Sequence, residues 1–202
     1  MAAVKLYINT TSPFVRLVRI AIAEKRLTDD IATEVVNPWA DPHPFLDDNP
    51  AGRVPTLVTG NGVAISETFL ILRWLDALVP APSIWPAEDL ERTLAVAAPA
   101  LGATEAATAI IIGRKSSAGF DSDSVGSKRF RTMANGLSRL NANLPRDFAD
   151  RPDIANMAAA TALDYILLRF ADRDWLADLP ALRDWRRRQA DRPSLISTMP
   201  HV

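Results

Sequence analysis

Hydrophobic and polar residues change their period along this chain, and the changes divide it into elements. Residues 4 to 8, VKLYI, alternate apolar with polar or amphipathic side chains and carry β-favouring Val, Tyr and Ile, which predicts a first strand. The polar stretch NTTS ends it. Ser12 then precedes Pro13, a capping residue followed by the residue best tolerated at a first helical position. Phe14, Val18, Ala21 and Ile22 recur at helical spacing, so the pattern predicts a helix from Pro13 to about Arg26. IATEVV, 31 to 36, reads as a second strand, and the five prolines between Asn37 and Pro55 leave room for turns and at most one short helix. PTLVTGNGVAI gives two short apolar runs around Asn61-Gly62, which suit the positive φ of a tight hairpin turn. Ser66 reads as the cap of a helix through ETFLILRWLDAL. The order to this point is β-α-β-α-β-β-α.

Past residue 78 the pattern is different. VPAPSIWPAED, 79 to 89, is proline-rich and without periodicity, and everything after it is helical in pattern. An alanine-rich helix from about Ala87 is expected to be interrupted near Pro99 and Gly102, and 113 to 127, GRKSSAGFDSDSVGS, reads as a polar loop. Phe130, Met133, Leu137, Leu140 and Leu144 step by three or four, an amphipathic helix. Asp153 is placed to cap a long, nearly uniformly apolar helix over 154–171, the expected buried centre of this part, and PALRDWRRRQAD predicts a last helix. The fold class expected is therefore α/β plus all-α: a domain over 1–78, a linker over 79–88 and a helical bundle over 89–202.

Composition narrows the chemistry. The chain has 202 residues, 48% hydrophobic and 23% charged, with Lys+Arg 23 against Asp+Glu 24, the balance of an ordinary globular protein with no electrostatic case for nucleic acid or an anionic membrane. No cysteine is present, which excludes a cysteine nucleophile, a CxxC redox pair, a thiolate zinc site and any disulfide. His43 and His201 are the only histidines, too few for HExxH or a zinc site built on several. No apolar leader stands at the N-terminus and no run approaches membrane-spanning length, so a cytoplasmic protein is expected. The arginine run at 186 to 188 fits a solvated helix face.

Three loops carry candidate chemistry. Ser12 is first of all a helix cap, but its hydroxyl also stands at a strand-to-helix junction. NPAGRVPTL, 49 to 57, places Val54-Pro55 at the mouth of a strand, where a cis peptide would leave the Val54 N–H and C=O free to pair with an extended ligand; a plain edge-strand proline is the simpler reading. ISETF puts Glu67 and Thr68 in the first turn of a helix, where free N–H groups attract a carboxylate and Glu67 suits an ammonium group, or merely complements the helix dipole.

Together, in this order and spacing, these segments resemble the glutathione transferase family. KLYINTTSPFVRLVRIAIAEK is similar to its first strand, active-site loop and first helix, NPAGRVPTLV to its NPxGxVP segment, and ISETFLILRWLD to its glutamate-serine turn and the helix after it. ALDYILLRF, DLPALRDW and RPSLISTMP resemble the helical domain of bacterial members, so nearly the whole chain is covered. The resemblance implies a thioredoxin-like domain binding glutathione as co-substrate, a helical domain completing a site for an apolar electrophile, a homodimer and a role in detoxification. By position, Val54 would pair its main chain with the cysteinyl part of glutathione, Pro55 would be the cis proline, and Glu67 with Thr68 would hold the γ-glutamyl end. Thr68 replaces the usual serine and keeps its hydroxyl. Where the family has Ser or Thr followed three residues later by Asp at the start of its central helix, Asp153 and Asn156 stand.

The implied reaction is thiol activation. A free thiol with pKa about 8.5 is only ~3% thiolate at pH 7, and a two-unit depression, ~2.7 kcal/mol, raises that to ~75%. A hydroxyl donor beside a helix N-terminus supplies such a shift. Ser12 is the first candidate for it; Thr11 and Thr10 lie in the same loop, and Tyr7 is the tyrosine-type alternative. His43 and Arg53 are weaker candidates for the glycyl carboxylate of glutathione, since a solvent-facing role suits either. Lack of cysteine excludes the family's cysteine-type members. The rival expectation is a catalytically inactive protein of the same fold that binds or regulates another protein.

Overall fold

A computed structural model describes residues 3–201. They divide into two compact units: residues up to Ile84 together with those from Ile196 on, and the stretch from Trp85 to Leu195.

The first unit is built on a mixed four-stranded sheet in the order β2-β1-β3-β4. The strands are β1 (Val4–Ile8), β2 (Ile31–Val35), β3 (Thr56–Val58) and β4 (Ala64–Ser66). β1 and β2 run parallel, which requires the crossover made by helix α1 (Pro13–Glu24). β3 pairs antiparallel with both β1 and β4, and the β3–β4 hairpin turns through Gly62 at φ 78°. Between β2 and β3 lie a single 3-10 turn (Pro38–Ala40) and the short helix α2 (His43–Asp48). Helix α3 (Thr68–Leu78) closes the unit and packs on α1. Leu6, Leu17, Ile20, Leu57, Ile71 and Leu72 form its core. The element order is the one the pattern predicted, β-α-β-α-β-β-α.

A buried ion pair ties the two ends of this unit's helical layer. Lys25, at the C-terminus of α1, lies 2.9 Å from Asp76 in α3, both side chains less than a tenth exposed. Each charge is completed by main chain: the lysine donates to the carbonyls of Val79 (2.6 Å) and Pro82 (3.0 Å), and Asp76 accepts from the Ile84 N–H (2.8 Å) and the Ser83 hydroxyl (2.9 Å). The proline-rich segment read as a linker is thereby fastened over 79–84. Burial alone would raise the Asp76 pKa; the hydrogen bonds from Ile84, Lys25 and Ser83 outweigh it and hold the carboxyl below its ordinary value. At the other end of the chain, Arg19 of α1 donates to the Ser197 carbonyl at 3.1 Å.

The second unit is helical: α4 (Leu90–Ser116), α5 (Ser124–Ala142), α6 (Ile154–Arg169), α7 (Pro180–Gln189) and the start of the short α8 (Pro193–Ser197). Every residue from Ile154 to Ile166 is buried, so α6 is the centre that its uniform apolarity predicted. Asp153 caps it, accepting from the N–H groups of Ala155 and Asn156 while the Asn156 side chain accepts from the Asp153 N–H, a reciprocal box.

Four expectations are corrected here. The alanine-rich helix is not interrupted at Pro99 or Gly102; α4 runs through both. Tertiary packing overrides local preference: a Cβ on Gly136 of α5 would stand 2.6 Å from the Pro99 carbonyl oxygen, so the two backbones meet at the proline. The supposed loop over 113–127 is mostly structured, with α4 reaching Ser116, a 3-10 turn at Phe120–Ser122 and α5 starting at Ser124. The Phe120 ring occupies the space a side chain on Gly113 would need, and Arg114 clasps Asp121 with two nitrogens. A last helix, α8, follows the one expected to end the chain. Finally, the helix over 87–116 is long and apolar enough by composition to cross a membrane, contrary to the reading that no stretch approaches that length, though it packs on α5 and α6.

Candidate functional site

The strand register brings the three loops to one edge of the sheet. Tyr7 pairs with Thr56 and Thr56 with Ser66, so the residues just beyond each position, after β1, before β3 and after β4, emerge together. These are the loop 9–12, the Val54-Pro55 dipeptide and Glu67-Thr68. Ser12, Val54, Pro55, Glu67 and Thr68 are thus assembled by β pairing, although 41 residues of chain lie between the first two.

Ser12 is the N-cap of α1. Its Oγ accepts from the Val15 N–H at 3.3 Å, which leaves its own proton free to be donated, and it is half-buried. Asn9 shapes the loop before it by accepting from the Thr11 N–H (3.0 Å) and hydroxyl (2.7 Å). The Thr11 proton is therefore already committed. Thr10 is half-buried, with no side-chain hydrogen bond among the described residues.

Tyr7 is removed from the candidates. Its side chain is 1% exposed and packs edge-on against Phe45 of α2. Its hydroxyl donates to Asp48 at 2.8 Å and takes a hydrogen bond from Lys5, which also pairs with Glu34 (3.4 Å). Burial, with Asp48, holds its pKa above the usual phenol value against the opposing pull of Lys5. Alternation along β1 aims Tyr7 at α2, a fold contact the first strand's pattern left open.

The Val54-Pro55 peptide is cis. Neither the N–H nor the C=O of Val54 takes part in a hydrogen bond among the described residues, so both stand open beside the first residue of β3. What holds this segment is Asn49, a residue the sequence reading passed over. It is 4% exposed and its amide donates to the Arg53 carbonyl and the Thr56 hydroxyl, both at 2.9 Å, while its Oδ1 accepts from the Ala51 N–H. Gly52, at φ 59°, closes the turn. The signal was present in NPAG: an Asn three residues before the glycine that takes positive φ.

The cap of α3 differs from the one expected. Ser66 is a β4 residue paired with Thr56; the N-cap is Glu67, at φ 72° and ψ 124°, with no side-chain capping bond. A non-glycine residue there is strained by about 1–3 kcal/mol, and such strain concentrates at functional positions. The turn directs the N–H groups of Thr68 and Phe69 away from the helix without acceptors among the described residues, and Thr68 itself is 5% exposed. The Glu67 carboxylate lies 3.9 Å from Arg53, with side chains 64% and 77% exposed. An exposed pair at that distance contributes little to stability and stays open to exchange with a ligand. His43 begins α2 and is exposed.

The edge therefore offers a hydroxyl donor at one helix N-terminus, a main-chain donor and acceptor in extended backbone, a carboxylate, and the free N–H groups of a second helix N-terminus. That set matches a peptide-like ligand with an amino group, carboxylates and a group that benefits from becoming an anion.

The chain is similar to known proteins in both of its parts. A family model described as glutathione S-transferase, N-terminal domain, matches residues 11–78, and one described as glutathione S-transferase, C-terminal domain, matches 123–188. An Escherichia coli K12 protein described as the uncharacterized GST-like protein YibF is 28% identical over 182 residues, 88% of this chain and 89% of its own. A glutathione S-transferase from Methylobacterium radiotolerans, solved with glutathione sulfonate, is similar over 98% of this chain and 95% of its own, at 27% identity and a TM-score of 0.87. A glutathione transferase family member from Pseudomonas fluorescens, solved with bound glutathione, gives the same identity and TM-score over 98% of this chain and 100% of its own.

Proposed function

Because the chain belongs to the glutathione S-transferase family and carries its two-part fold, we propose that it is a glutathione transferase of hydroxyl type, with Ser12 activating the thiol. The observation that carries this reading is the convergence at one sheet edge of a free hydroxyl proton, the unpaired Val54 main chain and the strained Glu67 turn.

In this reading glutathione lies as an added extended segment along Val54, its cysteinyl N–H and C=O taking the two open main-chain groups. Its γ-glutamyl carboxylate sits on the Thr68 and Phe69 N–H groups, and its ammonium pairs with Glu67. In this reading Arg53 and His43 are the candidates for the glycyl carboxylate. The thiol gives its proton to solvent, and the thiolate accepts the Ser12 O–H while the positive end of α1 adds to its stabilisation. It then attacks an electrophilic carbon: a C–S bond forms and the leaving group departs with its electron pair. A cytoplasmic homodimer is part of the proposal.

Calorimetric titration with reduced glutathione, on the native chain and on Glu67→Ala, tests it. Saturable binding weakened about tenfold by the substitution is expected, the loss of one charge-assisted contact. An absence of binding by the native chain at millimolar glutathione overturns the reading and favours a protein-binding role.

A further inference from the structure

Tyr7 is occupied by the fold, yet what it holds leads back to the candidate site. Strand alternation puts Lys5 and Tyr7 on one face of β1, and that face meets α2. Six residues are too few for a helix to hold itself, and α2 has no side-chain cap and buries only Phe45. What fastens it to the sheet is β1. The Phe45 ring stands edge-on to Tyr7 with centres 5.1 Å apart, and Asp48 accepts from the Tyr7 hydroxyl at 2.8 Å, with the Pro44 carbonyl 3.4 Å from the same oxygen. Lys5 completes the group: it donates to that hydroxyl, its ammonium lies 4.0 Å from the Tyr7 ring centre and 3.8 Å from Asp48, and it pairs with Glu34.

The residue after Asp48 carries this hold to the site. Asn49 is the C-cap of α2: its N–H donates to the Phe45 carbonyl and its own carbonyl accepts from the Gly52 N–H, both at 2.9 Å. Its side-chain amide donates to the Arg53 carbonyl, which also takes the Thr56 hydroxyl at 2.8 Å. That carbonyl shares one planar peptide group with the Val54 N–H. The Arg53–Val54 bond is trans, so the two point in opposite directions, and a carbonyl turned in toward the buried Asn49 and Thr56 turns the Val54 N–H out. The direction of the open donor is thus set by a side chain whose own place is fixed by a helix bound to Tyr7.

We propose that Tyr7 is a positioning residue for glutathione: through Asp48 and Asn49 it fixes the direction of the Val54 N–H that the cysteinyl part of glutathione takes. The identity of the ligand rests on the glutathione transferase reading above; the coupling of Tyr7 to Val54 does not. Without the Tyr7 hydroxyl Asp48 keeps only its longer contact to Lys5, α2 shifts on the sheet, Asn49 moves with it and the Arg53 peptide is free to rotate. A donor that no longer points one way must be ordered when the ligand arrives, so affinity falls while the chemistry at Ser12 is unchanged.

Tyr7→Phe keeps the ring against Phe45 and removes only the hydroxyl, and two measurements on the full chain use it. In the first, without ligand, the amide resonance of Val54 and the side-chain NH2 resonances of Asn49 are followed by NMR. Both are expected to broaden about twofold or more in Tyr7→Phe and in Asp48→Ala, whereas Asp48→Asn, which keeps an acceptor for the hydroxyl, leaves them sharp. In the second, glutathione is titrated calorimetrically. Tyr7→Phe is expected to bind about threefold to tenfold more weakly, with the thiol pKa of bound glutathione unchanged, and to have no further effect in an Asn49→Ala background. Additive losses in the double variant overturn the positioning role, as does a thiol pKa that moves with Tyr7→Phe, the result of a general loosening of β1 and the loop after it. Unchanged Val54 and Asn49 resonances in Tyr7→Phe overturn it as well, whether or not the native chain binds glutathione. Should Tyr7→Phe fail to fold, the contrast between Asp48→Ala and Asp48→Asn decides the question. A native chain that binds no glutathione but whose Val54 resonance responds to Tyr7→Phe keeps the coupling and loses the transferase reading.

Discussion

Two pairs of opposite charge in the first unit make opposite use of the same chemistry. Lys25 and Asp76 are buried at 2.9 Å, and four further main-chain and hydroxyl contacts complete them. Arg53 and Glu67 stand 3.9 Å apart in solvent, with no other side-chain partner among the described residues. The first pair leaves nothing for a ligand and is a fastening; the second leaves almost everything open, and in the proposed function it is a receptor. Desolvation decides between them: a buried charge is tolerated only when satisfied internally, so unsatisfied polar groups mark the places where the molecule expects company.

The largest effect should come from breaking the fastening. Asp76→Ala strands the Lys25 ammonium and is expected to cost about 3–5 kcal/mol in chemical denaturation, most of it recovered when Lys25→Met is added. Because the folded Asp76 carboxyl is held below its ordinary value, its contribution is complete above about pH 4 and is lost as pH falls through the lowered folded value. Acid unfolding of the double variant should lack that part of the pH dependence. A single variant as stable as the native chain would dissolve the contrast.

Next in size is Ser12→Ala, which removes the proton offered to the thiolate. A rise of about two units in the pKa of bound glutathione, read from its ultraviolet thiolate absorbance, and a fall in turnover of about 100-fold are expected. Loss of the cap should cost only about 1 kcal/mol of thermal stability. Undiminished thiolate formation would transfer the role to Thr10.

In the helical unit, Asp153→Ala should cost about 1–2 kcal/mol, while Asp153→Asn should be nearly neutral, since both amide and carboxylate accept the two N–H groups. Burial, ahead of those bonds, holds the Asp153 pKa above its ordinary value. The folded state thus takes up this proton more readily than the unfolded one, and the residue opposes acid unfolding. Smallest, and opposite in sign, is Glu67→Gly: relief of the φ 72° turn should stabilise the fold by about 1 kcal/mol in thermal unfolding while glutathione affinity drops. A destabilised glycine variant would show that the turn carries no strain.

Much of this was legible in the sequence because it is local. Alternation in VKLYI, the Asn61-Gly62 turn, the Ser12-Pro13 start and the Asp153–Asn156 box each need only neighbours in the chain, and the order of loops gave the resemblance that the family models bear out. The misread features depend on partners far away. Serine favours a cap position, but pairing with Thr56 keeps Ser66 in a strand. Pro99 looked like a break because nothing local foretells Gly136 arriving beneath it. Tyr7 became a fold contact only through Asp48, forty-one residues on, and Asn49 gained its role only once the turn it staples was seen.

The hydrogen bond from Arg19 to Ser197, and the grouping of the residues from Ile196 with the first unit, bear on how the protein is made. Read as topology, the helical unit is an insertion, and the sheet-bearing unit is discontinuous in sequence. During synthesis, which proceeds at about 5–20 residues per second, the sheet, α1 and α3 are available long before the final segment. The first unit is therefore completed only by the segment from Ile196 on, after helices α4 to α7 of the second have been synthesised.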